Sequence, residues 1–331
     1  MTTNENLPQK TLNNSFLGKV LRTQEIGVVM ILLVMGIFLT ITSDNFLTSS
    51  NLFNVIRQFS WIAIAGFGAI MVIITGGIDL SVGSIMALTG LIAALALNAG
   101  WGLWPSIIAG LLAGVGVGLI NGLLVSKAKL PPFIATLGMM SVARGLCYGL
   151  TNGLNISDLP DAFVFFGRYD LPFFGINIPL PVVIMVILAI IANFFLSRTI
   201  WGYWIYGLGG NEQATLLSGV NTGWVKLIVY SLTGLLAGIG GLLMTARLGV
   251  ATPTAAMGYE LDIIAAVFIG GASTSGGAGT ILGVLIGAAI MQVLRNGLVL
   301  LGFPAYWQSA AIGLVIIIAL SIDQYRKQRQ K

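Results

Sequence analysis

The 331-residue sequence contains no histidine and a single cysteine, Cys147. Without histidine, the chain has no Ser-His-Asp or Cys-His catalytic arrangement and no histidine-ligated metal site. A lone cysteine excludes a disulfide within the chain, and the apolar residues around it indicate a small core residue. The common nucleophilic and metal-dependent enzyme classes therefore explain this sequence poorly.

Charged residues are also scarce. They make up 8% of the chain, whereas hydrophobic residues make up 56%. A soluble domain usually carries about a quarter of its residues as Asp, Glu, Lys or Arg. A chain with this composition and a mean hydropathy of +0.95 cannot cover a surface that faces water, so we predict an integral membrane protein. Its 44 glycines include a stripe that predicts one closely packed helix face: Gly110, Gly114, Gly118 and Gly122.

A third absence concerns nucleotides. No G-x-x-x-x-G-K-[ST] phosphate-binding loop occurs in the sequence, so the chain is not expected to hydrolyse ATP by that mechanism or to bind a cofactor of its own. Any ATP-driven activity would need a second polypeptide. The net charge of +5 fits basic cytoplasmic loops better than nucleic-acid binding.

Apolar runs predict the fold class, an all-α integral membrane protein with about ten transmembrane helices, some of them broken. The runs lie near 26–42, 59–75, 81–97, 105–125, 134–151, 180–196, 227–245, 263–271, 281–301 and 306–322. Basic residues concentrate on the cytoplasmic side of membrane proteins. Most of the 16 Lys and Arg residues fall there if both termini are cytoplasmic, which is the orientation we predict.

This topology divides the chain into a cytoplasmic N-terminal tail at 1–25, a transmembrane domain at 26–322 and a basic cytoplasmic C-terminus at 323–331. Two connections within the domain are long. The one at 152–179 is predicted to be extracytoplasmic, and the one at 198–226 is predicted to be cytoplasmic.

Two glycine-rich segments, 76–83 and 270–277, indicate an internal repeat. Each leads into an apolar helix, and glycine or serine recurs at four matching positions of the two segments. Duplicated halves with glycine-broken helices at corresponding places are typical of membrane transporters.

Asp79 lies in the middle of the first glycine-rich segment. An ionisable group between apolar helices is costly unless it is paired, hydrogen-bonded or hydrated. Two compatible interpretations follow. In the first, Asp79 and Ser81 cap the next helix. In the second, they gate or line a translocation pathway, and Gly77 and Gly83 break the helix there.

Glu260 and Asp262 form a second acidic group, directly before the broken run at 263–271. They are candidates for the same pathway, or charges that complement a helix dipole. Paired carboxylates can act as acid and base, but no nucleophile or metal cluster accompanies them. Arg144 and Arg295 lie within apolar segments and are expected to pair with such acids.

The segment at 209–219 predicts a short amphipathic helix on the cytoplasmic side, started by Asn211 or a glycine and ended by Gly219. Leu216 and Leu217 would fill a groove on a partner. A helix of two or three turns is not stable alone in water. It must pack on a cytoplasmic motor subunit or on the chain's own loops, and the residues leave both alternatives open.

In combination, these motifs resemble the ribose-type branch of bacterial ABC importer permeases. The stretches that carry the resemblance are 77–83, 209–212, 218–219, 259–262 and 270–271. The resemblance implies a permease subunit that carries a small monosaccharide, a ribose-like pentose or a related sugar, across the bacterial inner membrane.

The resemblance also implies partners and site residues. The partners are a cytoplasmic ABC ATPase that holds ATP and Mg, a periplasmic or lipid-anchored sugar-binding protein, and a second permease copy, identical or paralogous. The segment at 198–226 becomes the ATPase-coupling loop. The coupling residues are Gly210, Asn211, Glu212, Ala214, Ser218 and Gly219. The candidate pathway residues are Gly77, Asp79, Ser81, Gly83, Glu260 and Asp262.

Other functions stay open. One is an importer permease for autoinducer-2 or another polyol. From a different class, an ion-coupled secondary transporter would usually carry several intramembrane acids or histidines, and here Asp79 is the main candidate. A channel or a membrane enzyme ranks lower because the sequence offers no nucleophile, metal ligand set or cofactor motif.

Overall fold

The computed structural model describes residues 24–173, 175–304, 307–314, 317–318 and 321. The predicted N-terminal tail, except for its last two residues, and the predicted basic C-terminus lie outside the described residues. The helices are α1 Gln24–Thr42, α2 Ser49–Ile74, α3 Val82–Asn98, α4 Leu103–Ser126, α5 Pro132–Thr151, α6 Asp161–Arg168, α7 Leu180–Arg198, α8 Ile200–Gly210, α9 Glu212–Leu217, α10 Thr222–Leu248, α11 Tyr259–Ile269 and α12 Ile281–Leu300. Two strands, β1 Asp170–Phe173 and β2 Ile176–Pro179, form one hairpin. Residues 307–314 are also helical.

The fold confirms the predicted class in its general form, a mostly helical membrane protein. Six helices are long and apolar enough to cross a membrane, namely α2, α4, α5, α7, α10 and α12. Shorter apolar helices occur at Gly27–Thr42 and Val82–Asn98. Each predicted apolar run up to residue 301 coincides with a helix, because length and hydropathy decide which segments can satisfy their backbone inside a bilayer.

One helix extends well beyond its predicted run. The predicted run at 59–75 begins where apolar residues predominate, but α2 begins at Ser49, directly after Thr48, whose hydroxyl accepts from the Asn51 N–H. The first turns of α2 mix apolar with polar residues, and some of the polar side chains find partners elsewhere. Asn51 exchanges two hydrogen bonds with Asn296, at 3.0 and 2.7 Å. A hydropathy profile cannot anticipate such distant partners.

Burial separates central from peripheral helices. In α2 and α10, 78% and 67% of the most apolar window is buried, against 28% in both α5 and α7. Helices α5 and α7 therefore present apolar side chains outwards, as lipid-facing helices do.

The glycine stripe of α4 faces α10, as predicted for a close-packed helix face. A Cβ atom at Gly114 would lie 2.7 Å from the Gly234 carbonyl oxygen, and one at Gly122 would lie 2.9 Å from the Leu227 Cα. Real Cβ atoms do not approach a backbone so closely, so the two helices can cross at this distance only because glycine lacks a side chain.

The long connection at 152–179 carries structure that the sequence did not indicate. It contains the amphipathic helix α6 and the antiparallel hairpin, in which Leu171 pairs with Ile178. Strands this short give almost no periodic signal. Arg57 of α2 pairs with Asp170 of the hairpin at 2.5 Å. The Arg168 guanidinium donates to the last carbonyls of α10, and these contacts hold the connection against the helices.

Candidate functional site

The first candidate site is the non-helical segment that joins α2 to α3. Asp79 and Ser81 are both buried there, with 2% and 0% of their surface exposed. The Asp79 Oδ1 atom accepts from the Ser81 N–H at 2.8 Å and from the Ser81 hydroxyl at 2.6 Å. Ser81 occupies the N-cap position of α3 but makes no side-chain cap, because its hydroxyl is committed to Asp79.

Two neighbouring helices hold this segment in place. Asn121 of α4 donates its side-chain N–H to the Ser81 hydroxyl oxygen at 2.8 Å. The Thr136 hydroxyl of α5 accepts from the Leu80 N–H at 3.2 Å. Sequence reasoning missed Asn121 and Thr136. The signal that would have found them is a polar residue inside an apolar run, which in a membrane protein needs a partner.

Several buried polar atoms around the same segment lack a hydrogen-bond partner among the described residues. Asp79 Oδ2, Asn121 Oδ1 and the Tyr230 hydroxyl are buried and have no hydrogen-bond partner in the part of the chain that the structure describes. Buried polar atoms are nearly always paired, and each exception calls for an explanation. Chemically, this group offers two acceptor oxygens and one hydroxyl, the kind of groups that recognise a neutral polyol.

Two of the predicted glycines permit close contacts. A Cβ atom at Gly77 would lie 2.7 Å from the Tyr230 hydroxyl, and one at Gly83 would lie 2.7 Å from the Ala256 carbonyl oxygen and would also contact Glu260. Gly83 therefore brings the start of α3 against the start of α11. The structure places Gly83 and Glu260 side by side.

The two arginines in apolar segments behave differently. Arg295 pairs with Asp262 at 2.5 Å, and its guanidinium lies 5.4 Å from the centre of the Tyr259 ring. Arg144 was expected to pair with an acid, but its Nη1 atom donates to the backbone carbonyls of Pro253 and Ala255, at 2.6 and 2.8 Å. A guanidinium carries five N–H donors, which can bind backbone carbonyls in place of a carboxylate. The connection before α11 supplies those carbonyls.

The two glycine-rich segments meet in the fold. The Gly277 N–H donates to the Ile74 carbonyl at 2.8 Å, at the end of α2. Gly209, at the end of α8, packs against the same Ile74 carbonyl. The Tyr206 hydroxyl of α8 donates to the Gly279 carbonyl at 2.7 Å. Burial raises the pKa of Tyr206 above its ordinary value, so its phenol, like that of an ordinary tyrosine, is protonated at neutral pH and can donate.

The segment at 209–219 forms the predicted short helix, α9. The Asn211 side chain accepts from the Ala214 N–H at 2.9 Å and caps the helix, and Gly219 follows it with a φ of +89°. Thr215 is buried against α8. Leu217 is 83% exposed. Helix α9 thus packs one face on the chain's own helices, as the second alternative predicted, and leaves its leucines exposed. Packing on a motor subunit stays a prediction.

A polar cavity of about 190 Å³ separates α9 from the end of α2. Its lining residues are Thr75, Gly76, Gly77, Val125, Pro132, Glu212, Lys226 and Tyr230. The cavity is lined both by the first candidate site, through Gly77, and by the segment at 209–219, through Glu212. Sequence spacing could not indicate this arrangement.

Comparisons with known proteins agree with the geometry. A family model described as branched-chain amino acid transport system / permease component matches residues 51–320. The ribose import permease protein RbsC of Escherichia coli (strain K12) is 44% identical over 300 residues, covering 89% of this chain and 92% of that protein. RbsC of Bacillus subtilis (strain 168) is 43% identical, covering 91% and 93%. The D-allose transport system permease protein AlsC of E. coli (strain K12) is 37% identical, covering 88% and 89%. No solved structure matches the chain.

Proposed function

We propose that this chain carries ribose or a closely related pentose into bacteria. The premise is that it belongs to the family described as branched-chain amino acid transport system / permease component, and within that family to the ribose-type ABC importer permeases. It is the permease subunit of a sugar ABC importer in the inner membrane. Permease subunits of this kind have no ATPase site of their own, so a partner subunit supplies the energy.

The observation that carries the substrate proposal is the gradation among the relatives. Two ribose import permeases are 43–44% identical to this chain. A D-allose permease is 37% identical, and a xylose permease of Haemophilus influenzae is 34% identical. All four alignments cover about nine-tenths of both chains, so coverage does not explain the difference. Ribose is therefore the first sugar to test, and autoinducer-2 or another polyol is the alternative.

We propose ten spans with both termini in the cytoplasm. They are α1–α5, α7, α10–α12 and a last span near 306–322, of which residues 307–314 are described and helical. Helices α3 and α11 would begin inside the bilayer. This is supported by the buried N-terminus of α3 at Ser81 and by the contact of Gly83 with Glu260. Helices that start beside a cavity at membrane depth are common in transporters.

We propose that the sugar passes the junction of α3 and α11. The candidate pathway residues are Gly77, Asp79, Ser81, Gly83, Glu260 and Asp262. The two glycines allow the close contacts described above, and the acids and hydroxyls supply acceptors and donors for sugar hydroxyls. The polar atoms left without partners at Asp79 and Asn121 support this location. No cofactor is required of this chain, because ATP and Mg bind to the partner ATPase.

We propose that α9 is the docking element for that ATPase. Leu216 and Leu217, which are 56% and 83% exposed, would enter its groove. The residues that shape the element are Gly210, Asn211, Glu212, Ala214, Ser218 and Gly219. A sugar-binding protein would approach the opposite side, where the connection at 152–179 lies. A second permease copy completes the complex.

The test is uptake in a bacterium that lacks its own ribose importer. The chain is expressed with its candidate ATPase and binding protein, and uptake of labelled ribose, xylose and allose is measured. The control strain carries the two partners without the chain. Preferential ribose uptake that requires the chain supports the proposal. Equal uptake in the control strain, or uptake that competing ribose does not reduce, contradicts it.

A further inference from the structure

We propose that Lys226 and Glu212 act as a positioning pair, which transmits movement of α9 to the segment between α2 and α3. The proposal rests on the proposed function, since it concerns the coupling of ATP hydrolysis to transport. Its basis is that the Glu212 carboxylate forms an ion pair with Lys226 of the chain's own helix α10.

The pair joins two different elements. Glu212 is the first residue of α9, and Lys226 lies near the start of α10. The Lys226 Nζ atom and the Glu212 Oε1 atom are 2.6 Å apart, and the two side chains are 19% and 50% exposed. The Lys226 side chain is thus mostly buried, and both residues line the polar cavity.

Helix α10 continues from this pair to the segment that contains Asp79. Tyr230 lies one turn after Lys226, on the same helix face. It is 1% exposed, and its hydroxyl sits where a side chain at Gly77 would be. One turn of α10 therefore touches α9 through Lys226 and the α2–α3 segment through Tyr230.

The cavity explains why an ion pair at this place matters. A solidly packed interface would transmit any displacement of α9 directly, but here the cavity of about 190 Å³ separates α9 from residues 75–77. On the other side, Gly209 packs directly on the Ile74 carbonyl. The segment at 209–219 thus meets the end of α2 directly at Gly209, whereas at Glu212 the cavity lies between them, beside the ion pair.

The two faces of α9 have separable roles under this proposal. The exposed leucines serve docking, and Glu212, through its pair with Lys226, serves transmission. Removing a leucine should prevent the ATPase from binding. Removing the ion pair should leave the ATPase bound but reduce the amount of sugar carried for each ATP hydrolysed.

The test uses the complete importer in proteoliposomes, with the single reversals Glu212→Lys and Lys226→Glu, the double reversal, and Leu217→Ser as the docking control. Three quantities are measured: ATPase retained on the permease, ATP hydrolysed and labelled ribose taken up. Each single reversal should lower ribose uptake per ATP by about two- to fivefold, the size expected of a partly exposed ion pair. The double reversal should recover most of it. ATPase binding should be lost in Leu217→Ser and retained in Lys226→Glu.

Wild-type uptake per ATP in both single reversals would overturn the proposal. So would a double reversal that performs no better than the singles. If a reversed chain fails to assemble, Glu212→Gln and Lys226→Gln test the same contact without placing like charges together, and the same loss is expected. If the wild-type complex itself shows no ATP-dependent uptake, the proposed function fails instead, so the two failures are distinguishable.

Discussion

The ion pair between Asp262 and Arg295 gives the sharpest prediction about stability. The Asp262 side chain is 3% exposed and the Arg295 side chain 26%, and their charged atoms are 2.5 Å apart. The change Arg295→Met removes the cation and leaves a buried carboxylate without a counter-charge. Breaking a buried pair in this way costs about 3–5 kcal/mol. Because Arg295 retains some solvent contact, we expect the lower end of that range, about 3 kcal/mol.

The magnitude can be converted into a melting temperature. For a chain of this size, 1 kcal/mol corresponds to about 2 °C, so Arg295→Met should melt about 6 °C below the wild type. The double variant Asp262→Asn/Arg295→Met removes both charges and should recover most of the loss, because replacing both members of a buried pair is often close to neutral.

The single cysteine provides the assay. Cys147 is fully buried in α5, so a thiol-reactive fluorophore should label the detergent-solubilised chain only as it unfolds. Labelling is followed against temperature for the wild type, the single variant and the double variant. Equal melting temperatures for Arg295→Met and the wild type would contradict the predicted role of this ion pair. So would a double variant whose melting temperature is as low as that of the single variant.

Three further predictions concern the candidate sites. Gly83→Val should abolish sugar uptake in the reconstituted importer, because a side chain there meets the Ala256 carbonyl. In the control Gly116→Ala the added methyl group meets nothing within 4 Å, so uptake should be unchanged. Equal effects of the two changes would refute the close contact. Ser81→Ala leaves the Asn121 N–H unpaired, which should lower the free energy of unfolding by about 1–3 kcal/mol. The same thiol assay should therefore show a lower melting temperature, and an unchanged melting curve would contradict the hydrogen bond. Leu217→Ser should remove the cytoplasmic ATPase in co-purification without changing the melting temperature, and full retention of the ATPase would exclude docking through α9.

Much of the fold could be predicted because the bilayer imposes simple rules. An apolar run long enough to span must satisfy its own backbone, so the positions of the long helices follow from hydropathy. The first turns of α2 escaped prediction since their polar residues are satisfied by Asn296 and Asp170, far along the chain. The hairpin could not be predicted because strands of four residues are too short to show a clear alternation of apolar and polar residues.

Only some residues of the candidate site could be predicted from the sequence. Asp79 and Ser81 could be singled out because charged and polar residues are rare between apolar helices. Asn121 and Tyr230 became part of the site only through helix packing, which no spacing rule encodes. The expected pairing of Arg144 with an acid does not occur as a direct ion pair among the described residues, because two backbone carbonyls of the connection before α11 accept from its guanidinium.

The central claim is that ATP hydrolysis by a partner drives sugar through this chain. The most direct measurement is uptake of labelled ribose into proteoliposomes that contain the purified chain, its ATPase and its binding protein. It is made with ATP, with a non-hydrolysable ATP analogue, and with a proton or sodium gradient alone. We predict uptake with ATP only. Uptake driven by an ion gradient without ATP would identify a secondary transporter and contradict the account.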